Sequence, residues 1–433
     1  MMCVGVRHPE RSSVMGILIK NTHIGGEMCD IHIEGEQIKE IGREFTFTAD
    51  ENIDARGMAA IPSFVNVHTH AAMTLLRGYA DDMFLQEWLE KKIWPVETSL
   101  TEEDVYWGAK LACLEMIKGG TTLFNDMYWF WHGTVRAVQE MGLRASISAV
   151  FIDRFDVEKA REQQRQNELL FEESRKLSPQ IIFSLGPHAI YTVSPESLIW
   201  CKEFSQSHGL LINLHLSETS REVEDCLKTH GLRPVEYLEK LGFLSPRVIL
   251  AHCVWLNDRE IEILKEHDVT VVHNPVSNMK LAVGSALPYS KLRRAGVRIT
   301  LGTDGCSSNN NLDMLETMKW ASLLQKYHNN DCCALPAPEV FDMATSEGAE
   351  ALGVDIGRIK AGSCADLLLV NTDREEMTPG YNLISDLVYS AHGCCIDTVI
   401  CAGKILMRNR HVDGEEKIRA KAKETARKLA GKF

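Results

Sequence analysis

Two kinds of hydrophobic patterning divide this chain. Near its start, short apolar runs, Ile17-Leu18-Ile19 and Ile31-His32-Ile33, lie among Gly25, Gly26, Gly35 and Gly42, which predicts β-hairpins. A second β-rich block follows near the other end, Ala365-Asp366-Leu367-Leu368-Leu369-Val370 and then Thr398-Val399-Ile400-Cys401 running to Met407. Between the blocks, strand-length apolar runs alternate with helix-like segments. Eight runs are candidate strands: 60–70, 121–126, 144–151, 181–188, 211–215, 248–252, 269–274 and 297–304. Thr101-Glu102-Glu103-Asp104 predicts a capped, acidic helix start, and Gly119-Gly120 its end. Ser194-Pro195-Glu196 and Asn257-Asp258 open further helices.

Eight β-then-α units over roughly 290 residues suit a (β/α)8 barrel. A doubly wound sheet is the alternative, but no two glycines are separated by a single residue, so its G-x-G-x-x-G phosphate loop is absent. After Gly414, the run of Glu415, Glu416, Lys417, Arg419, Lys421 and Lys423 predicts a charged surface helix.

Composition narrows the class. The 433 residues, 45% hydrophobic and 25% charged, suit an ordinary globular protein with a large barrel and an accessory piece. A net charge of −13 argues against nucleic acid or an anionic membrane as partner. No apolar run approaches the ~18 residues of a membrane span. The first fifteen residues contain Arg7, His8, Glu10 and Arg11 without an apolar core. They read as a leader rather than a secretory signal, with Met15 as an alternative start. Thirteen cysteines without C-x-x-C spacing read as buried, reduced thiols of a cytoplasmic protein.

The candidate chemistry sits where the predicted strands end, the active face of such a barrel. His68 and His70 end the first strand, and their i, i+2 spacing sends both imidazoles to one side. His188 ends the fourth, His215 the fifth, His252 the sixth, His273 the seventh and Asp304 the eighth. Any one of these alone would be read as a core or turn residue. Imidazoles or a carboxylate at six strand ends point to a metal site. His68, His70, His215 and Asp304 suit a divalent ion, with zinc favoured and ferrous iron or manganese compatible with the same donors. Glu218, three residues past His215, is placed to shuttle a proton, and a bound cation acidifies water toward pH ~7. The expected chemistry is metal-assisted hydrolysis.

His68-Thr69-His70, Leu214-His215 with Glu218, Ala251-His252 and Gly302-Thr303-Asp304-Gly305 resemble the amidohydrolase superfamily, in order and in strand position. The resemblance spans Gly16 to about Met407. It implies a metal-dependent-hydrolase barrel over 61–356, with a small β-sandwich domain built from 1–60 and 357–433, the latter including the terminal helix. Two-metal members carry a lysine at the end of strand 4, and Phe183-Ser184-Leu185-Gly186-Pro187-His188 has none, which implies one metal per subunit. The resemblance further implies that His252 orients the attacking water. Asp304 binds metal and accepts a proton, while Glu218 protonates a substrate ring nitrogen.

Gly302 to Asn310, Met318 to Lys326, Trp88, Ile93-Trp94-Pro95-Val96-Glu97 and Gly186 to Tyr191 are similar to the methylthioadenosine/S-adenosylhomocysteine deaminase group. This implies a 5′-modified adenosine as substrate, with Glu97 on the ribose hydroxyls, His188 and Trp88 against the nucleoside, and homo-oligomeric assembly. Members that accept S-adenosylhomocysteine carry two arginines for its carboxylate. Arg161 matches the second. At the first, Ser148-Ala149-Val150-Phe151 has no arginine, and Arg154 is out of register. A preference for 5′-deoxyadenosine or methylthioadenosine is therefore expected.

The alternatives are a related hydrolase of another ring (guanine, cytosine or a chlorinated triazine) and a non-catalytic barrel. The helix-borne H-E-x-x-H zinc site is absent, as is the P-C-x-x-C spacing of the other zinc deaminase class.

Overall fold

The apolar run over 60–70 is two strands, broken at Ser63. In the computed structural model, which describes residues 16–45 and 49–431, its two halves belong to different sheets. The leader read at residues 1–15 lies outside the described residues.

The first sheet contains β1 (Gly16–Ile24), β2 (Glu27–Glu34), β3 (Gln37–Gly42), β4 (Glu51–Asp54) and β5 (Met58–Pro62). The barrel then takes β6 (Phe64–Thr69), β7 (Thr121–Tyr128), β8 (Arg144–Phe151), β9 (Ile181–Pro187), β10 (Leu211–Leu216), β11 (Val248–His252), β12 (Thr270–His273) and β13 (Arg298–Leu301). The chain returns to the first sheet with β14 (Leu367–Asn371), β15 (Ile396–Cys401) and β16 (Lys404–Met407).

The small sheet runs β16-β15-β14-β5-β1-β2-β3, with β4 also on β1, so both chain ends build it. Its inward side chains alternate along the strands. Ile17, Ile19, Ile31, Ile33, Leu367, Leu369 and Ile400 share one core, so the two halves of a single hydrogen-bonded sheet enclose it.

The barrel strands pair in sequence order, all parallel. Every residue of β6 and β7 is buried, as expected of parallel strands covered on both faces. Fully buried Phe64, Phe124 and Phe151 each contribute about 1.5–3 kcal/mol of burial. Beneath the site, the interior is polar and hydrogen-bonded across the strands. Asn125 and Asn213 exchange side-chain hydrogen bonds at 2.5 and 3.2 Å, and Asn213 also donates to the Ser148 hydroxyl at 2.7 Å. Such groups are affordable inside a protein only when bonded. The first and last strands meet through Asn66, which donates to Thr303 Oγ1 at 2.7 Å and accepts from the Thr303 N–H at 3.1 Å. The Asp304 N–H completes this seam by donating to the His68 carbonyl at 3.0 Å.

Close approach joins the two parts. Gly120 holds a φ of 85°, which favours glycine, and a Cβ there would also stand 2.6 Å from Leu368 and 2.7 Å from Ile396 of the small sheet. Buried Arg144 meets Asp366 across the same junction at 3.2 Å. The terminal helix, Glu415–Ala430, buries Ile418, Ala422, Thr425 and Leu429. It packs on the barrel helix Glu102–Lys118. The twelve described cysteines are all free, and among the described residues no helix is long and apolar enough to cross a membrane.

Candidate active site

Three site positions leave their strands in left-handed backbone: Ser217 (φ 51°), His252 (φ 74°) and Asp304 (φ 62°). Non-glycine residues seldom adopt it, and where they do the surroundings enforce it. These turns direct the strand-end side chains toward the barrel axis. Thr69 fixes the start of the ring by donating to the Asp304 carbonyl at 3.1 Å, and Asp126 accepts from the Ala71 N–H at 2.7 Å just past His70.

His68, His70, His215, His252 and Asp304 converge. One Asp304 oxygen stands 3.5 Å from His68 Nε2 and 3.2 Å from His70 Nε2. The other accepts from Ser277 Oγ at 2.6 Å and Ser308 Oγ at 2.9 Å. His70 Nδ1 donates to the Met127 carbonyl (2.7 Å), His215 Nδ1 to the His188 carbonyl (2.8 Å) and His252 Nδ1 to Asn278 Oδ1 (2.8 Å). Each of these rings therefore presents Nε2 to the common centre, and a second partner of this kind also fixes the tautomer of a metal-binding imidazole. His68 Nε2 is buried without a hydrogen-bond partner in the protein.

Electrostatics agree with a cation at this centre. Burial pushes His68 down to about 4, and it holds His215 well below the usual imidazole value. Burial opposes charge on His70 as well, but the Asp304 carboxylate outweighs it and raises His70 to about 9. Burial would raise Asp304, yet the adjoining His68 and His70 rings hold it well below the carboxylate range. Neutral imidazoles around an ionised carboxylate, with one positive charge drawn between them, are the donor set of a divalent ion. Two overlapping groups, His68–His70–Asp304 and His68–His215–His252, keep their donor atoms within 4.8 Å of one another.

His70, His215, His252 and Asp304 of this cluster floor a cavity at the ends of the barrel strands. Glu218 lines it, with Oε1 3.7 Å from His252 Nδ1, and burial raises its carboxyl pKa. The helical segment 85–97 forms one wall and contributes Trp88, Trp94 and Glu97. Burial raises Glu97 too, opposed by hydrogen bonds from the Trp129 and Tyr128 side chains. Trp88 is buried and donates Nε1–H to the Ala80 carbonyl at 3.1 Å. His188 lines the cavity beside His215, and burial pushes it down to about 3.

Of the residues singled out from sequence, Arg161 and His273 are not brought here. Arg161 lies on the helix Val157–Ser174, exposed, in an ion pair with Glu158 at 3.0 Å, because its helix turns that face to solvent. Arg154, set aside on register, holds its guanidinium 5.4 Å from the Trp94 ring centre, on a residue of the cavity wall. His273 is fully buried and outside the cavity lining. Tyr128 and Trp129 escaped sequence reasoning because β7 runs two residues past its expected end. Ser277 and Asn278 carried no sequence signal beyond following strand β12, and Ser308 lay inside the Gly302–Asn310 stretch without a role of its own.

The amidohydrolase family model matches residues 59–406, and the chain belongs to that family. It is 50% identical over 419 residues to a 5′-deoxyadenosine deaminase of Methanoregula boonei, covering 95% of each chain. It is 47% identical over 422 residues to the 5-methylthioadenosine/S-adenosylhomocysteine deaminase 1 of Archaeoglobus fulgidus, covering 96% of this chain and 99% of that one. A solved adenosine deaminase from Xanthomonas campestris, with bound zinc, superposes with a TM-score of 0.90 at 32% identity, over 96% of this chain and 98% of that one.

Proposed function

We propose that this protein is a metal-dependent hydrolase that converts the 6-amino group of 5′-modified adenosines to the inosine analogue and ammonia. The observation that carries this reading is the single cavity shared by the imidazole–carboxylate cluster, Glu218 and Glu97. His68, His70, His215 and Asp304 would hold one divalent ion, zinc by its donor set and by the zinc-bound relative. When bound, such an ion supplies an acidified water and polarises what it touches.

His252, its Nδ1 committed to Asn278, would offer Nε2 as an acceptor to the attacking water. Asp304 takes a proton from the water, its far oxygen being occupied by Ser277 and Ser308. Glu218, whose carboxyl burial shifts toward its protonated form, delivers a proton to a ring nitrogen and so makes C6 electrophilic. Water adds its oxygen at C6, Asp304 passes the proton it took to the departing amino group, the added hydroxyl returns a proton to Glu218, and the products are the 6-oxo ring, protonated at the ring nitrogen, and ammonia. Glu97 accepts from the two ribose hydroxyls, as a bidentate carboxylate can, while His188 and Trp88 pack against the nucleoside.

Val150 and Ile152 line the cavity at the end of β8, so a carboxylate on the 5′ substituent would meet an apolar wall there. Leaving it unpaired forfeits about 1.5–3 kcal/mol of charge-assisted bonding. 5′-Deoxyadenosine and methylthioadenosine are therefore preferred to S-adenosylhomocysteine. Arg154 over Trp94 favours the opposite reading, a cation at the rim that takes the carboxylate. The kcat/KM values for the three nucleosides, in the wild type and in Arg154→Ala, separate the two. At least a tenfold advantage for the uncharged substrates supports the first. A preference for S-adenosylhomocysteine that Arg154→Ala abolishes establishes the second, and no deamination of any of them defeats both.

A further inference from the structure

Glu222 is the third residue of the helix Ser220–His230, whose cap is Thr219. In three other helices the carboxylate at that position returns to the N–H of its own cap residue, one of them Glu236, which accepts from Arg233 N–H at 2.9 Å. Asp104 accepts from Thr101 N–H at 2.9 Å, and Glu260 from Asn257 N–H at 3.0 Å, the usual reciprocal box. Glu222 does not. Its Oε1 accepts from the Ser217 N–H at 2.9 Å and its Oε2 from the Glu218 N–H at 2.9 Å. The carboxylate thus reaches past the cap to the two residues before it, one of which is the cavity glutamate.

The backbone it grips is the left-handed one at Ser217 (φ 51°). That turn ends β10 and decides whether Glu218 points into the cavity or along the barrel rim. Glu222 is itself buried, and both carboxylate oxygens are spent on consecutive N–H groups, a geometry that fixes the peptide between them in one orientation. A cap carboxylate serving only its helix would leave these N–H groups alone.

We propose that Glu222 is the positioning residue for Glu218: by clamping the Ser217 and Glu218 amides it holds the Glu218 carboxyl at the place where it meets the substrate ring. This rests on Glu218 acting as the proton donor described above. Displacing such a group by about 1 Å costs on the order of 10²-fold in rate without changing the contacts that bind the ribose. In Glu222→Gln the amide oxygen keeps one N–H, and the amide nitrogen faces the other.

The test is a double-mutant cycle on the zinc-loaded protein with 5′-deoxyadenosine, using the wild type, Glu222→Gln, Glu218→Gln and the double variant, with metal content measured for each. Glu222→Gln is expected to lower kcat roughly 10–100-fold with KM within about twofold, and to add less than about twofold in the Glu218→Gln background. Unchanged kcat in metal-loaded Glu222→Gln overturns the inference, as does an equal loss in both backgrounds. If Glu218→Gln alone leaves turnover intact, the assignment of Glu218 fails instead. Should Glu222→Gln not fold, the same cycle is run with Ser217→Gly added throughout, since glycine adopts the left-handed turn without steric cost.

Discussion

His70 and His215 face each other with their Nε2 atoms 3.3 Å apart, while each ring spends its Nδ1–H on a backbone carbonyl. At that distance the two nitrogens need something positive between them, either a proton shared by the rings or a metal ion. His215→Ala is therefore expected to lose bound metal and to retain less than about 1% of turnover. Chelation of the wild type should have the same effect, reversed by adding zinc, and Tm should fall on chelation because the ion binds only the folded site. Elemental analysis alongside an ammonia-release assay checks this; full activity in metal-free protein contradicts it.

Ser277 reaches Asp304 from a neighbouring strand end, its hydroxyl 2.6 Å from the oxygen turned away from the imidazoles. Ser277→Ala leaves that buried oxygen one donor short. Metal affinity or kcat should fall about 10–100-fold, typical for loss of a group that supports a ligand, measured by competition with a chromophoric chelator.

Glu97, the proposed ribose clamp, is held by hydrogen bonds from Trp129 and Tyr128. Glu97→Gln should lower kcat/KM for 5′-deoxyadenosine by about tenfold or more, since charge-assisted bonds are worth about 1.5–3 kcal/mol. The 2′,3′-dideoxy analogue, lacking both hydroxyls, should be almost indifferent to the change. Unchanged turnover of the hydroxylated substrate would favour the hydrolases of other rings.

Gly302 marks the tightest approach below the site. A Cβ there would lie 2.5 Å from Asn274 Oδ1 and 2.8 Å from His68 Cβ. Gly302→Ala should destabilise the fold by about 1–3 kcal/mol and push His68 off the cluster. Denaturant melts and metal content, taken together, measure both effects.

His230 stacks on Tyr237 with ring centres 4.0 Å apart, and burial, helped by Lys240, lowers its pKa. The folded protein then binds this proton less readily than the unfolded chain. Its contribution to stability is present above the ordinary imidazole value of ~6.5 and is lost as pH falls through the lowered one. His230→Gln should flatten the fall of Tm between pH 7 and 5, an effect on the order of 1 °C given how exposed the ring is.

The chemistry was legible in the sequence because strand ends have a fixed address. His68, His70, His215, His252 and Asp304 each close an apolar run, and the barrel brings such ends together. What supports them was not legible. Ser277, Ser308 and Asn278 act through contacts made across strands, and hydroxyls or amides in loops have no pattern that sets them apart. The break at Ser63 was hidden because both halves of the run are apolar, buried in different sheets for different reasons. Arg161 misled for a related reason: a helix position says little about which face meets the barrel mouth, and here that face is solvent.

The seam between the first and last barrel strands has a kinetic consequence. Thr69 and Asp304, bonded across it, are 235 positions apart in the chain. During synthesis, His68 and His70 emerge long before the carboxylate that completes their site, and contacts of such separation form late because loop closure must precede them. The last stave of the barrel is thus also the last donor to the ion. Uptake of metal by a refolding chain should therefore time ring closure itself, and a chain arrested before Asp304 should hold its first two histidines without a site to put them in.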